Sequence, residues 1–411
     1  MTINLALKNL RWNTDFLITN IPCMQEAIRE ENLDGWLFCN FHHRDTFTDS
    51  LLELDPLAVS TRRWFYFVPS SGNPVKIVHA IEKNILDSLP GNSFLYTGKF
   101  ELERLLSRFR GLTAAILSDP NIQVLSTFDA SSASLAVFCG MKTVSAASLV
   151  QRIRGILDTE GIASHERAAD ILYLVVEEAW NRVCASFRDQ TILFEGDIQN
   201  LMLDRFRASG LITDHSPIIA AGRNSGNPHY SVPGEECSGG GRGKRLEKGD
   251  VLQFDLWAKE PEGVYADISW IGFCGKTIPQ SISNRANLVF EARDLVKPAV
   301  ETALRNNEAI TGASLDIIVR DFLLARTPAE SVQHRTGHGI DTECHGSGVN
   351  IDSIEFPDHR FLLEGSCFSV EPGIYFSDCG FRTEIDIYLR NKKPVISGRE
   401  IQHTLLQLQE D

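Results

Sequence analysis

The 411-residue sequence contains no run of 18 apolar residues and has fewer basic than acidic side chains. The missing apolar run excludes a membrane-spanning helix. The 40 Lys and Arg against 54 Asp and Glu give a net charge of −14, which disfavours binding to nucleic acid or to an anionic membrane. With 43% hydrophobic and 23% charged residues, the composition is typical of a folded globular protein.

Cysteine pairs at the spacing of zinc or redox motifs are also missing. The nine cysteines are scattered, and no two of them form a CxxC arrangement. We therefore predict that they are buried thiols without a catalytic role. The first residues, from Met1 to Asp15, lack the long apolar stretch of a secretory signal. We expect a cytoplasmic protein on that basis.

Two regions differ in their pattern of apolar residues. Over residues 1–155, short strand-like runs alternate with helix-like segments, which predicts a compact α/β domain. Residues 158–161 interrupt the pattern, and apolar residues at helical spacing then predict a helix over 165–187 with Ser164 as its N-cap. We assign residues 160–411 to a second domain. Its further predicted helices are 197–208, 284–305 and 314–325.

The second region contains an internal repeat that carries acidic residues. A Leu-Glu-Lys-Gly segment precedes Asp255 and a Leu-Glu-Gly segment precedes Glu371, each acid standing six residues after the glycine. A second acid follows each one across turn residues, Asp267 after 12 residues and Glu384 after 13. These spacings predict two similar β-hairpins with one carboxylate on each strand. Cross-strand neighbours approach to about 5 Å, so each hairpin is expected to present a facing carboxylate pair.

Four converging carboxylates repel one another strongly. At ~5 Å and an effective dielectric constant of ~20, each pair repels by about 3 kcal/mol, and the pairs together by roughly 20 kcal/mol. This exceeds the net stability of a folded domain, ~5–15 kcal/mol. The cluster must be protonated, relaxed into water or neutralised by cations, and two divalent ions balance its four negative charges. His338 is a fitting imidazole ligand because its flanking glycines let the backbone bend closely around a metal.

In the order Asp, Asp, His, Glu, Glu, these five residues resemble the ligand set of the dinuclear metallopeptidases of the pita-bread fold. That family includes methionine aminopeptidase, aminopeptidase P and prolidase. The motifs that carry the resemblance are Gly337-His338-Gly339, Val370-Glu371-Pro372-Gly373-Ile374-Tyr375 and Arg382-Thr383-Glu384. The resemblance implies an α/β (α+β) protein whose C-terminal pita-bread domain has a pseudo-twofold repeat. The N-terminal region resembles the creatinase-type domain of the proline-specific members, which methionine aminopeptidases lack.

The resemblance also implies a role for each ligand. Asp255 would bind one metal through both oxygens, and His338 and Glu371 would complete the other metal. Asp267 and Glu384 would bridge the two ions. Such a set, rich in oxygen and with one imidazole, suits Mn²⁺, our first expectation, and also Co²⁺, Zn²⁺ or Fe²⁺.

Three further residues match functional positions of the family. His229 is similar to the histidine that stabilises the tetrahedral intermediate, and His345 to the histidine that contacts the scissile region. Arg382 is similar to a group that steadies a bridging carboxylate. Glu371 would also accept the proton of the attacking water and pass it to the leaving nitrogen.

The sequence departs from the family pattern in the first hairpin and at several positions near the expected substrate pocket, among them Ile385 and the residues after His345. The spacing between Asp255 and Asp267 is one residue longer than usual, which suggests a longer hairpin loop or a bulge. Pro357 falls where prolidases place the arginine that holds the terminal carboxylate of a dipeptide, with Arg360 as the nearest candidate. The metal ligands are complete, whereas the residues expected to select the substrate differ.

We therefore expect hydrolysis of the peptide bond before proline, in dipeptides or short peptides, by a hydroxide held between two divalent metal ions. By resemblance, the partners are a short proline-containing peptide and a second copy in a homodimer. The negative net charge predicts no nucleic acid and no membrane as partners. Two alternatives stay open. One is a same-fold enzyme acting on a small non-peptide substrate, such as a dimethylsulfoniopropionate lyase or a creatinase-like enzyme. The other is a non-catalytic binding protein.

Overall fold

The structure, a computed structural model, describes residues 16–233 and 242–408. The segment before residue 16, on which the predicted localisation depends, lies outside these ranges. The chain forms two compact units that divide between Arg154 and Gly155. No helix in the described ranges combines the length and the apolar character needed to cross a membrane.

A six-stranded mixed sheet forms the centre of the N-terminal unit, with the strand order β4-β3-β2-β1-β5-β6. The strands are β1 Gly35–Asn40, β2 Trp64–Pro69, β3 Val75–His79, β4 Asn92–Tyr96, β5 Thr113–Ile116 and β6 Lys142–Ser145. Strand β2 pairs antiparallel with both β1 and β3, whereas the other three pairings are parallel. β1 is buried along its whole length, which agrees with its continuous apolar sequence.

Helices separate most of these strands along the chain, although β2, β3 and β4 follow one another without an α-helix between them. They are α1 Phe16–Glu30, α2 Thr46–Leu51, α3 Lys99–Leu106, α4 Ala130–Phe138 and α5 Ala147–Ile153. The core of the unit is filled by large aromatic side chains of β1 and β2, including Trp36, Phe38, Trp64 and Tyr66. The predicted α/β architecture is confirmed.

The helices of the C-terminal unit include one that begins earlier than predicted. They are α6 Thr159–Arg188, α7 Glu195–Ala208, α8 Gln280–Asp294, α9 Val296–Asn306 and α10 Gly312–Leu324. The predicted N-cap of α6, Ser164, is wrong because the Asp158 carboxylate accepts a hydrogen bond from the Gly161 backbone N–H at 2.7 Å. Residues 158–161, expected to interrupt the pattern, therefore start the helix.

The single helix predicted over 284–305 is two helices, α8 and α9, which meet at Leu295. Pro298 lies in the first turn of α9. It has no N–H to donate to the carbonyl of Asp294, and its ring crowds that carbonyl. The first turn of a helix tolerates this residue, so the chain breaks the helix just before it.

The first predicted hairpin is regular. The C-terminal strands are β7 Ile218–Ala221, β8 Val251–Ala258, β9 Ala266–Phe273, β10 Cys367–Val370, β11 Gly373–Tyr375, β12 Gly380–Arg382, β13 Ile385–Arg390, β14 Lys393–Ile396 and β15 Leu406–Gln407. β8 and β9 pair without interruption inside a sheet of order β15-β9-β8-β7. Because this pairing contains no bulge, the longer spacing between the two acids is absorbed by the loop 259–265.

The second predicted hairpin is interrupted at its centre. β10 pairs with β13, and β11 pairs with β12, as parts of two separate small sheets. The register is the same on both sides of the break, since Val370 pairs with Ile385 and Gly373 with Arg382. Pro372 lies in the break and has no N–H to donate to a partner strand. The two hairpins are therefore similar in outline and different at the position of their acids.

The cap of α6 makes a prediction about stability. Replacing Asp158 with Ala removes the side-chain acceptor for the Gly161 N–H and is expected to cost about 0.5–2 kcal/mol in the free energy of unfolding. Asp158→Asn is the matched control, because asparagine caps a helix as well as aspartate does. Urea unfolding curves of the variants measure the difference. An alanine variant as stable as the asparagine variant would contradict the assignment of Asp158 as the cap.

Candidate metal centre

The first hairpin holds Asp255 on β8 and Asp267 on β9. Asp255 lies opposite Ser269, and Asp267 lies opposite Trp257, so the two acids are diagonal neighbours rather than a directly facing pair. Both side chains are buried. Their carboxylates still offer oxygens within 4.8 Å of each other, because diagonal neighbours on one face of a sheet remain in reach.

The break in the second hairpin carries the other two acids. Continuing the register of β10 and β13 by one residue places Glu371 opposite Glu384. An isolated bridge joins Glu384 to Ser269, whose carbonyl accepts a hydrogen bond from the Glu384 backbone N–H at 3.1 Å. This bridge holds the second hairpin against the first, and the four carboxylates meet at the junction.

His338 lies in a segment that runs beside β10. The Ser369 backbone N–H donates to the His338 carbonyl at 2.9 Å. The Nε2 atom of His338 is 3.7 Å from Asp267 Oδ2 and 3.6 Å from Glu371 Oε1. Burial is the main cause that lowers the pKa of this imidazole well below its ordinary value. The neutral ring that results is the form that binds a metal ion.

Among the described residues, three overlapping groups of side chains have ligand atoms that all lie within 4.8 Å of one another. The groups are Asp255 with Asp267 and Glu384, His338 with Glu371 and Glu384, and Asp267 with His338 and Cys344. All five residues predicted to bind metal belong to this cluster. Glu384 is common to the first two groups, as expected for a residue between two neighbouring ions.

The electrostatics of the cluster fit a divalent metal. Burial, reinforced by the neighbouring acids, raises the pKa of Asp267 and of Glu384 well above its ordinary value. Burial also raises the pKa of Glu371, from 4.5 to about 7. The Oδ1 atom of Asp267 is buried and has no hydrogen-bond partner within the described ranges. A bound cation would neutralise the acids and give this oxygen a partner.

Arg382 adds a positive charge to the cluster. The charge balance predicted from the sequence counted only the four acids and two divalent ions and did not include it. Its guanidinium forms an ion pair with Asp255 and donates to the Tyr375 hydroxyl at 3.0 Å and to the Pro228 carbonyl at 3.1 Å. The ion pair is thus with Asp255 and not, as we expected, with one of the two acids assigned to bridge the metals. Arg382 is buried together with its partner.

Two polar residues that sequence reasoning missed connect the hairpins. Gln253 accepts a hydrogen bond from the Arg382 backbone N–H at 3.0 Å and donates to the Arg382 carbonyl at 2.9 Å. This pair of bonds holds Arg382 beside β8, the strand that carries Asp255. The Ser269 hydroxyl lies 2.9 Å from an oxygen of Asp255 and 2.9 Å from an oxygen of Glu384. Because side chains alternate along a strand, Gln253 lies on the same face as Asp255, and Ser269 on the same face as Asp267. A polar residue two positions from each acid is the sequence signal that could have identified them.

A fifth acid, Asp386, lies behind Asp267. One of its oxygens accepts a hydrogen bond from the Asp267 backbone N–H at 2.8 Å. Burial raises the pKa of Asp386 well above its ordinary value, so the neutral acid is favoured. Asp386 therefore helps to hold the backbone of β9 without adding a full charge to the cluster.

The two histidines expected to contact substrate are exposed at the edge of the cluster. The ring centroid of His345 is 4.3 Å from that of His338, with the planes at 79°. His229 follows Pro228, whose carbonyl binds Arg382. Both histidines are exposed, and neither is in the groups of close ligand atoms described above. Both side chains are therefore in contact with solvent.

Arg360 does not face a substrate. Its guanidinium donates to the Asp358 carboxylate at 2.7 Å and to the carbonyls of Ser347 and Gly348 at 2.8 and 2.6 Å. The guanidinium N–H groups are therefore hydrogen-bonded within the fold. Arg360 braces the loop after His345, and the expectation that it anchors a dipeptide carboxylate has no support in these contacts.

The cysteines differ in burial and surroundings. Of those described, Cys23 and Cys184 are half-buried and the others are buried. One of them touches the cluster: Cys344 Sγ donates to Asp267 Oδ2 at 3.1 Å. Burial raises the pKa of the Cys344 thiol well above its ordinary value, which agrees with its role as a donor here. The prediction that all the thiols are ordinary core groups did not anticipate this contact.

Comparison with known proteins identifies the family. The model of metallopeptidase family M24 matches residues 163–403, more than half of the chain, and the chain belongs to this family. The predicted resemblance to the pita-bread metallopeptidases is confirmed. The match covers every residue of the cluster.

The individual relatives have low sequence identity to this chain. A Xaa-Pro dipeptidase from Lactobacillus helveticus is 29% identical over 177 residues, which cover 41% of this chain and 42% of that protein. The dipeptidase PepE structure from Mycobacterium ulcerans matches with a TM-score of 0.69 at 18% identity, covering 98% of this chain and 100% of that one. An X-prolyl aminopeptidase from Caenorhabditis elegans, described as a cytosolic enzyme with a di-nuclear active site, matches with a TM-score of 0.60 at 14% identity, covering 90% and 58%.

The sequence matches and the structural matches support different conclusions. The chain spans about half the length, or less, of the first curated relatives that it matches. The structural matches are at low identity and establish the shared fold.

The raised pKa values predict that metal stabilisation depends on pH. In the metal-free protein the pKa of Glu371 is raised from 4.5 to about 7, so the folded state binds more protons than the unfolded state between these values. The free energy of unfolding of the metal-free protein therefore falls as the pH rises from 4.5 to about 7. Metal binding requires the deprotonated ligands. The increase in Tm on adding Mn²⁺ to chelator-treated protein is expected to be larger at about pH 8 than at about pH 5. Equal increases at both pH values would contradict the prediction.

Arg382 predicts a second effect on metal binding. Lysine keeps the charge but cannot contact Asp255, Tyr375 and Pro228 together. Arg382→Lys is expected to weaken metal binding about 10–100-fold, because outer partners that orient a ligand have effects of that size. Equilibrium titration of Mn²⁺ measures the affinity. Arg390→Lys, at an exposed position of β13, is the control and should bind as the wild type does. Unchanged affinity in Arg382→Lys would show that Asp255 needs no such support.

Proposed function

We propose that this protein is a dinuclear metallopeptidase that hydrolyses the peptide bond before proline in dipeptides or short peptides. The observation that carries the proposal is the cluster of five ligand side chains with their close ligand atoms. Membership of a metallopeptidase family supports a peptidase. The relatives from Lactobacillus helveticus and Caenorhabditis elegans are named for Xaa-Pro and X-prolyl substrates, which supports the specificity.

The proposed metal sites follow from the two groups of side chains that share Glu384. Asp255, Asp267 and Glu384 would hold one divalent ion, and Asp267, His338, Glu371 and Glu384 the other, since Asp267 Oδ2 lies 3.7 Å from His338 Nε2. Two ions bound there would supply Lewis-acid activation of the substrate carbonyl and of the attacking water. The unpartnered oxygen of Asp267 supports this residue as a metal ligand.

The protein's own residues would move the proton and orient the substrate. Glu371 would act from its place in the cluster, where its Oε1 atom lies 3.6 Å from His338 Nε2 and a carboxylate can accept and return a proton. It would take the proton of the attacking water and give it to the leaving proline nitrogen. His229 would donate a hydrogen bond to the carbonyl oxygen as negative charge develops there, and His345 would contact the substrate beside the scissile bond.

The wider setting belongs to the same proposal. Residues 1–155 would be a creatinase-type domain and residues 160–411 the catalytic domain of a cytoplasmic homodimer. The carboxylate-rich ligand set suits Mn²⁺ first, and Co²⁺, Zn²⁺ or Fe²⁺ as alternatives. The net charge of −14 argues against nucleic acid or anionic membranes as partners.

The test is hydrolysis of Xaa-Pro dipeptides and of longer Xaa-Pro peptides by protein reloaded with each of the four metals. The wild type is expected to release the residue before proline. Asp267→Asn should lose the activity and bind fewer metal ions per chain, because an amide cannot replace a charged ligand shared by two ions. Glu262→Gln is the matched control, since it removes an exposed carboxylate from the loop of the same hairpin and should leave the activity unchanged.

Two results would contradict the proposal. One is equal activity in wild type and Asp267→Asn. The other is a wild type that binds metal and hydrolyses no Xaa-Pro peptide with any of the four ions. In that case, release of acrylate from dimethylsulfoniopropionate would support the lyase alternative. A protein that binds no stoichiometric pair of metal ions would support the non-catalytic alternative.

A further inference from the structure

Cys344 reaches the cluster through a turn that follows His338. The Gly346 backbone N–H donates to the Gly339 carbonyl at 2.7 Å and closes this turn. The turn directs Cys344 inward, where the residue is 6% exposed. Its sulfur lies 3.1 Å from Asp267 Oδ2. The thiol is therefore placed by the same segment that carries the imidazole ligand.

The Cys344 sulfur lies close enough to two proposed metal ligands to bind the same ion. The Sγ atom, an imidazole nitrogen of His338 and an oxygen of Asp267 all lie within 4.8 Å of one another. Independently of the thiol, the other oxygen of Asp267 is buried without a hydrogen-bond partner in the described part of the chain. That unpartnered oxygen belongs to one of the same three side chains and points to a cation bound by Asp267.

The other described cysteines lack this combination. Cys367 is buried, but its sulfur lies 3.9 Å from His165 Nε2, a histidine that already binds the Tyr265 carbonyl and the Ser397 hydroxyl. Cys274 is fully buried in the apolar core. Within the described ranges, Cys344 is the one thiol found in a group of potential metal ligands.

We propose that Cys344 is a sixth ligand of the metal centre and supplies a sulfur donor to the ion held by His338. The inference rests on the proposed dinuclear centre and adds a residue to it. On binding, the S–H bond breaks, its proton leaves to the solvent, and a sulfur lone pair goes to the metal. Asp267 Oδ2 loses the thiol hydrogen bond and becomes free for the same ion.

A thiolate changes the choice of metal. Sulfur is a soft donor that favours Zn²⁺, Co²⁺ or Fe²⁺, whereas Mn²⁺ prefers oxygen ligands. The four carboxylates leave this choice open, and Cys344 would bias the ion beside His338 toward the softer metals. The two positions of the centre would then differ in metal preference, because the first would have only oxygen ligands and the second would have the His338 nitrogen and the Cys344 sulfur.

The experiment is a titration of the metal-free, full-length protein with Co²⁺, followed by absorption spectroscopy. Visible d–d bands report that the centre binds cobalt, and a near-ultraviolet sulfur-to-cobalt charge-transfer band reports a cobalt–sulfur bond. The wild type is expected to show both, saturating at two ions per chain. Cys344→Ser should keep the d–d bands and lose the charge-transfer band. Cys274→Ser, which removes a buried thiol outside the centre, should keep both.

The outcomes separate this inference from the proposed function. Wild-type d–d bands without a charge-transfer band would overturn the sulfur ligand and leave the dinuclear centre intact. A charge-transfer band that survives in Cys344→Ser would also overturn it. No d–d bands at all would contradict the metal centre itself. Because the wild-type spectrum alone decides the first of these, the test stands even if the serine variant folds poorly.

Discussion

The mutual repulsion of four closely spaced carboxylates, three of them buried and that of Glu371 half-buried, is the constraint on which the centre of this protein depends. Asp255, Asp267, Glu371 and Glu384 come together from two hairpins, and burial raises the pKa values of Asp267, Glu371 and Glu384. Arg382 offsets one charge only. The remainder requires protons or divalent cations, so the folded state of this unit and the occupancy of the centre are coupled.

The fold makes this arrangement tolerable by fixing the acids through their backbones and through neutral groups. The bridge between Glu384 and Ser269 and the double hydrogen bond of Gln253 to Arg382 join the hairpins without using the carboxylate oxygens that face the centre. Asp386 holds the backbone of Asp267 from behind. The acids are thus positioned before a metal binds, which lowers the cost of assembling the site.

The clustered acids and the two histidines proposed to contact substrate lie on different kinds of structure. The carboxylates lie on strands or at strand ends, whereas His229 and His345 lie in loops and are exposed. Arg360, a candidate for recognising a carboxylate, is instead committed to bracing a loop. A change in either loop can therefore leave the paired strands and their acids in place.

The sequence by itself determined the two-part α/β organisation, both hairpins and the five clustered side chains, because strand alternation and the repeated spacing act locally along the chain. It did not determine the diagonal placement of Asp255 and Asp267, which depends on the pairing register of the two strands. Nor did it determine the strand break at Pro372 or the division of the predicted helix before Pro298, which depend on the backbone carbonyls that meet each proline. The partners of Arg382 and Cys344 were decided only by the tertiary structure. Both bind residues more than 70 positions away in sequence, and contacts over that separation follow from how the hairpins pack rather than from any local pattern.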